Sequence, residues 1–289
     1  MKFTSQCNLE LVWAELAHGL PFDGVWRLNS PLGKRYVDFR SDLLVDVAPA
    51  GQWLMVELSD EGGKLHLDSV MRLPAEVNRD DIERQYSWLI GVQENILWDI
   101  WGMLAYLSDG PLRQFYLAVL LDERIMRPFV TGKASHQHHH KHEGGLLEHS
   151  HEVAITAAEL CRQHQVGPLS TSVAFIGGLL HDIGKIHLFY NNLDGQGVMG
   201  QHESFNFMVL AEPLARLSRE APKLFEAIGA CLSIKIGRQT EAYLPAQMVH
   251  ICDRLSMDVH NWRRAFTEVP AYYWFVKSPN GDQVYKRLG

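Results

Sequence analysis

Four groups that need a polar partner sit inside apolar helical stretches of this chain. They are His149 in GGLLEHSHEVA, His181 and Asp182 in GGLLHDIGK, and Asp253 in QMVHICDRLSMD. Burying an imidazole or a carboxylate with nothing to bond is unfavourable by roughly 2–7 kcal/mol, and more when it is charged. A single divalent cation ligated by all four removes that cost. Imidazole nitrogen with carboxylate oxygen suits Mn, Fe, Co, Ni or Zn, and Mn is the favoured ion. An isolated buried histidine is more often bonded to a backbone carbonyl. The adjacent His-Asp pair, followed by Ile183, Gly184 and Lys185, is harder to explain that way.

The same residues suggest how the site is built. Gly177 and Gly178 precede the pair and cost helix stability. Close backbone packing between ligand-bearing helices is a physical reason to keep them. Three helices then supply four ligands, leaving coordination positions open. Asp182 and Lys185 are the expected catalytic residues. Lys185 follows the pair by three residues and leans over the same site, where it stabilises negative charge developing on a substrate. The competing assignment for Lys185 is an exposed lysine complementing the end of a helix.

Two further candidates flank this set. The tract Ser135-His136-Gln137-His138-His139-His140-Lys141-His142 lies just before the first ligand helix. His138, His139 and His140 are therefore candidate substrate-phosphate contacts at the mouth of the site, against the plainer alternative of a solvated loop. His202, opening a later helix, is a candidate for a second metal position or a surface residue.

Charge and cysteine content bound the rest. Net charge is −7, and residues 1–125 carry 11 Lys+Arg against 19 Asp+Glu, so the acidic surplus is N-terminal. No general nucleic-acid affinity follows from such a total. The four cysteines, Cys7, Cys161, Cys231 and Cys252, have no CxxC spacing, which points away from a zinc finger or a disulfide frame and fits a reducing cytoplasm. No basic leader followed by an apolar run begins the chain, and no apolar stretch reaches 18 residues. A soluble, cytoplasmic protein without a membrane partner is expected.

Pattern divides the chain near residue 80. VWRL, YVDF, WLMVEL and LHLDSVMRL are short, partly alternating runs separated by Gly- and Pro-containing turns, which predicts a small antiparallel β module of four or five strands over 1–80. A helix is expected over residues 1–20. Beyond 80 the period becomes helical: helices are predicted over 82–107, 111–126, 145–165, 170–185, 203–218, 222–235 and 245–266. The tail AYYWFVKSPNGDQVYKRLG reads as a hairpin. The expected fold class is α+β: an OB-like β module, then an all-α domain over 81–289 closing in a hairpin.

The spacing H…HD…D resembles the HD superfamily of metal-dependent phosphohydrolases. LRQFYLAVLLDERIMRPFVTGKAS, HQHHHKHEGGLLEHSHEVA, VHICDRLSMD and the terminal hairpin also resemble bacterial 3′→5′ exoribonucleases of the YhaM type, which join an OB-fold to an HD domain. HHHKHEGGLLEHS is similar to the HD segment of MobH-class conjugative relaxases. The resemblance implies hydrolysis of phosphate esters with a bound divalent cation. One departure concerns the fourth helix, where the exonucleases carry a His-His pair for a second metal. Here the stretch is Leu232-Ser233-Ile234-Lys235-Ile236-Gly237. A one-metal site, a second cation replaced by Lys235 contacting substrate, and lost catalysis all remain open.

Three functions follow. The first is a metal-dependent phosphodiesterase trimming single-stranded nucleic acid from a 3′ end. The second is a phosphohydrolase of a small nucleotide, which needs no basic track. The third is a relaxase-related, non-catalytic metal-binding protein in DNA mobilisation. Two basic-aromatic patches are candidate nucleic-acid surfaces: Trp26, Arg27, Lys34, Arg35, Tyr36, Phe39 and Arg40, and Arg263, Arg264, Tyr272, Tyr273, Trp274 and Lys277. Packed aromatics with solvated charges are the alternative for both. The acidic N-terminal half docking on a neighbour's HD face would give a homo-oligomer.

Overall fold

A computed structural model describes residues 9–17, 25–31, 33–36, 42–134, 142–190, 202–233, 242–278 and 283–288. The side chains of 34–36, 188–190 and 202 lie outside that description. The architecture is α+β, with an antiparallel sheet, a helical body and a short terminal hairpin.

The sheet contains β1 (Leu9–Leu16), β2 (Trp26–Ser30), β3 (Gly33–Tyr36), β4 (Gln52–Glu61) and β5 (Lys64–Arg72). Its order is β3-β2-β1-β4-β5, antiparallel throughout. β3 and β5 are the edges, and no pairing joins them among the described residues, so the sheet there is open. The helix expected over residues 1–20 is corrected at 9–16, which form the central strand. The reason is burial on both faces. Leu9 and Leu11 enter the main core, while Val12 and Ala14 enter a second cluster with Trp26, Leu28, Leu54 and Val56. A strand buried on both sides loses its alternation and reads like a buried helix.

The helices are α1 (Arg79–Ser87), α2 (Asn95–Tyr106), α3 (Pro111–Leu121), α4 (Glu123–Thr131), α5 (Gly145–Gln163), α6 (Pro168–Leu180), α7 (Lys185–Tyr190), α8 (His202–Val209), α9 (Ala211–Glu220), α10 (Pro222–Leu232) and α11 (Leu244–Phe266). Three spans predicted as continuous are each two helices. The 82–107 span breaks at a turn containing Gly91, whose φ of +67° is left-handed. The 111–126 span breaks at Asp122, whose side chain accepts from the Arg124 amide and starts α4. The 203–218 span breaks at Leu210. β6 (Phe275–Lys277) and β7 (Val284–Lys286) form the terminal hairpin.

The division near residue 80 falls between β5 and α1, yet one core crosses it. Leu9, Leu11, Trp53, Met55 and Leu73 pack in the same cluster as Ile96, Leu97, Ile100 and Trp101 of α2 and the buried faces of α5 and α6. Trp53 Nε1 also donates at 3.0 Å to the carbonyl of Asn78, the residue that caps the start of α1. No helix among the described residues is long and apolar enough to cross a membrane.

Candidate metal centre

Glycine lets α6 approach α5 and α10 closely. A Cβ on Gly178 would lie 2.8 Å from Ala154 Cα of α5, and one on Gly177 would lie 2.4 Å from Cys231 Cβ of α10. The α6 helix is thus clasped on two sides with no room for a methyl group. Close packing is the physical role expected of this glycine pair.

At the end of α6 the chain turns through His181, Asp182, Ile183 and Gly184 before α7 begins. Asn206 of α8, fully buried, holds this turn. Its Oδ1 accepts from the Gly184 amide at 2.6 Å, and its Nδ2 donates to the carbonyls of His181 and Leu232 (the latter at 2.9 Å). Nothing in the sequence singled out Asn206. An amide in a helix is common, and only the tertiary fold puts it beneath the turn.

The structure brings His149 (α5), His181, Asp182 and Asp253 (α11) together. His149 Nε2 lies 3.4 Å from Asp182 Oδ2 and 3.2 Å from Asp253 Oδ1, and His181 Nε2 lies 3.5 Å from each of the same oxygens. The two imidazole centroids are 5.3 Å apart. One ligand atom each from His149, His181 and Asp253 falls within a 4.8 Å set. His149, His181 and Asp182 are buried, while Asp253 keeps 29% of its side chain exposed and marks the open side.

Two features of this cluster fit a cation. The first is an unbonded nitrogen. His181 Nδ1 is 2.6 Å from the Gly178 carbonyl, which can only accept, so Nδ1 donates there and Nε2 faces the cluster. That Nε2 is buried with no hydrogen-bond partner. At 3.5 Å the carboxylates are its electrostatic neighbours rather than its bonded partners. The second is charge. Burial pulls the His149 imidazolium down, but the carboxylates of Asp182 and Asp253 more than offset this and raise its pKa to about 9. Burial pushes the Asp253 carboxyl up, yet the facing imidazoles hold it well below the usual carboxylate range. The pocket between these four side chains demands positive charge.

Supporting groups surround the ligands. Ser256, one turn beyond Asp253 on α11, places Oγ 3.5 Å from His149 Nδ1 and donates to Glu152 Oε2 at 3.1 Å. A histidine whose second nitrogen faces a hydroxyl-carboxylate relay is the usual way a ligand imidazole is oriented. Cys252 beside Asp253 is buried, and burial pushes its thiol up to about 11. Lys185 Nζ lies 2.5 Å from Asp182 Oδ2. It is therefore anchored at the edge of the cluster and is not an exposed helix-end lysine.

His202 begins α8, with its side chain outside the description. His138, His139, His140 and Lys235 lie outside the described residues. His142, the last imidazole of the tract, meets Glu148 of α5 at 2.8 Å. The N-terminal basic-aromatic patch is corrected at two positions. Trp26 is buried in the second core cluster, and Arg27 pairs with Glu15 at 3.5 Å. The aromatic-rich hairpin is different: Tyr272 is 79% and Trp274 57% exposed.

Residues 146–258 match the HD domain family model, a stretch that contains all four converging residues. No curated protein and no solved structure matches the chain, so neither the exoribonuclease nor the relaxase likeness gains support from them. HD domains as a family bind divalent metals and hydrolyse phosphate esters. With its candidate ligands His149, His181 and Asp253 in place, the segment 146–258 of this chain is a helical HD domain.

Proposed function

We propose that this chain is a one-metal phosphodiesterase that removes nucleotides from the 3′ end of single-stranded nucleic acid. The observation that carries the reading is the buried cluster of two imidazoles and two carboxylates, with His181 Nε2 unbonded and Lys185 at its edge. His149, His181, Asp182 and Asp253 hold the cation. When bound, a divalent cation supplies Lewis acidity toward a phosphoryl oxygen and lowers the pKa of water.

The protein groups do the rest. Gly178 keeps the proton of His181 on Nδ1, and Ser256 with Glu152 orients His149. Asp182 holds Lys185 where its ammonium faces the phosphate, stabilising charge as water adds to phosphorus and the ester oxygen leaves. Asp253, on the open side, leaves the approach to the cluster accessible to water and substrate. Exposed Tyr272, Tyr273 and Trp274, with Lys277 and Lys286, suit base stacking along a single strand. Lys286 Nζ already lies 5.5 Å from the Trp274 ring centroid.

Hydrolysis of a small nucleotide is the second reading. It is favoured by the acidic N-terminal half and by the burial of Trp26, which takes an expected stacking ring off the sheet surface. The test is turnover of 5′-labelled single-stranded RNA and DNA by Mn²⁺-loaded protein beside Asp182→Ala. A ladder shortening from the 3′ end, absent in the variant, establishes the exonuclease. No cleavage of either strand, with release of phosphate from nucleotides, moves the assignment to the small substrate.

A further inference from the structure

Beside the ligand cluster lies a cleft of about 410 Å³ lined by Arg127, Thr131, Lys133, Glu143, Leu146 and Lys185, among others. That is within the size range of ligand sites, about 300–1,000 Å³. None of His149, His181, Asp182 or Asp253 lines it, whereas Lys185 belongs to both places: it touches Asp182 and forms one wall of the cleft. Arg127 projects from α4, and Lys133 stands just past that helix. Neither makes an ion pair among the described residues, although Glu143 shares the cleft. Two cations left without partners at a concave site stand out in a chain of net charge −7. Lysine is a point charge for phosphate, and the arginine fork matches two phosphate oxygens at once. Both residues lie outside the segment 146–258 that matches the HD family, so this feature belongs to the chain's own N-terminal helices.

We infer that Arg127 and Lys133 bind a second, non-reacting phosphate of the substrate while Lys185 faces the phosphate at the ligand cluster. The substrate then carries at least two phosphates: a nucleic-acid strand, or a nucleotide with a polyphosphate chain. A simple phosphomonoester leaves the cleft unused. This rests on the proposed hydrolytic function for its kinetic arm but not for its binding arm.

The binding arm uses metal-free protein in chelator, titrated by calorimetry with inorganic pyrophosphate and with a short single-stranded DNA carrying phosphorothioate linkages. Arg127→Ala/Lys133→Ala should weaken at least one of them by tenfold or more, about 1.4 kcal/mol. Lys223→Ala, on the surface of α10, should bind like wild type. Loss confined to pyrophosphate identifies a polyphosphate nucleotide, and loss on the DNA identifies a strand. Equal affinities in the double variant and wild type overturn the inference. Mn²⁺ titration and thermal melts of the double variant check that the metal site and fold persist.

The kinetic arm compares unmodified single-stranded DNA and a nucleoside triphosphate with bis(p-nitrophenyl) phosphate, which has a single phosphate. A rise in KM at least tenfold larger on the multi-phosphate substrate supports the inference, and equal rises on both oppose it. If wild type hydrolyses nothing, the proposed function fails and the binding arm still decides the cleft.

Discussion

Helix α5 carries two histidines two residues apart, and they have opposite fates. His151 turns toward α2, where its Nε2 meets Asp99 Oδ2 at 2.9 Å in a buried pair. His149 turns toward α6 and α11 and meets two carboxylates, beside a second imidazole whose Nε2 has no hydrogen-bond partner. In the first, one imidazole answers one carboxylate at hydrogen-bonding distance. In the second, two imidazoles and two carboxylates converge, and distances of 3.2–3.5 Å leave space at the centre. Burial and residue type are alike in the two places; the number of converging groups and the unbonded Nε2 of His181 separate a simple pair from a candidate ligand set.

The largest expected effect is at the ligand set. Asp182→Ala should abolish Mn²⁺ binding in a calorimetric titration and remove all metal-dependent turnover. It should also erase the stabilisation added by metal, about 2.7 kcal/mol at a hundredfold excess over Kd. Full metal occupancy in this variant would refute the site. Asp99→Ala should act the other way round. Leaving His151 without its buried partner should cost about 3–5 kcal/mol in a denaturant melt, while Mn²⁺ affinity of the folded fraction stays within a few-fold of wild type. Comparable metal loss in both variants would mean that the two sites are one network.

Smaller effects probe how the ligand helices are held. Gly178→Ala forces a methyl group into the Ala154 backbone, so stability should fall by about 1–3 kcal/mol, and metal affinity should fall with it because α5 and α6 move apart. A stable variant with unchanged Mn²⁺ affinity would show that the glycine clasp is not what sets the ligand spacing. Ser256→Ala should leave the melt nearly unchanged and weaken metal binding by about 10–100-fold, the usual cost of losing an orienting partner. If Mn²⁺ titrates this variant as it does wild type, the Ser256–Glu152 relay does not orient His149.

The converging residues were legible because each interrupts an apolar run, a pattern that burial alone does not explain. The glycine pair was legible for the same kind of reason, a cost needing a return. What orders the site was not. Asn206 and Ser256 are ordinary helix residues until α8 and α11 fold against the His181 turn and His149. The pairing of His151 with Asp99, 52 positions apart, has no local signature either. In the fold, the hairpin and the helical body were readable from period and turn residues. β1 was misread because its two buried faces remove the alternation, and the helix breaks at Gly91, Asp122 and Leu210 were missed because apolar spacing continues through them.

The core shared between sheet and helices bears on how this protein can be dissected. Residues 79 onward look separable on paper, since the HD match and every converging ligand lie beyond them. Yet Leu9, Leu11, Trp53, Met55 and Leu73 supply one side of the cluster that encloses α2. A chain cut at that seam would present a sticky apolar wall to solvent, and its failure to stay in solution would say nothing about catalysis. The sheet acts as a lid on the helical body's core, and the protein's smallest workable unit includes it.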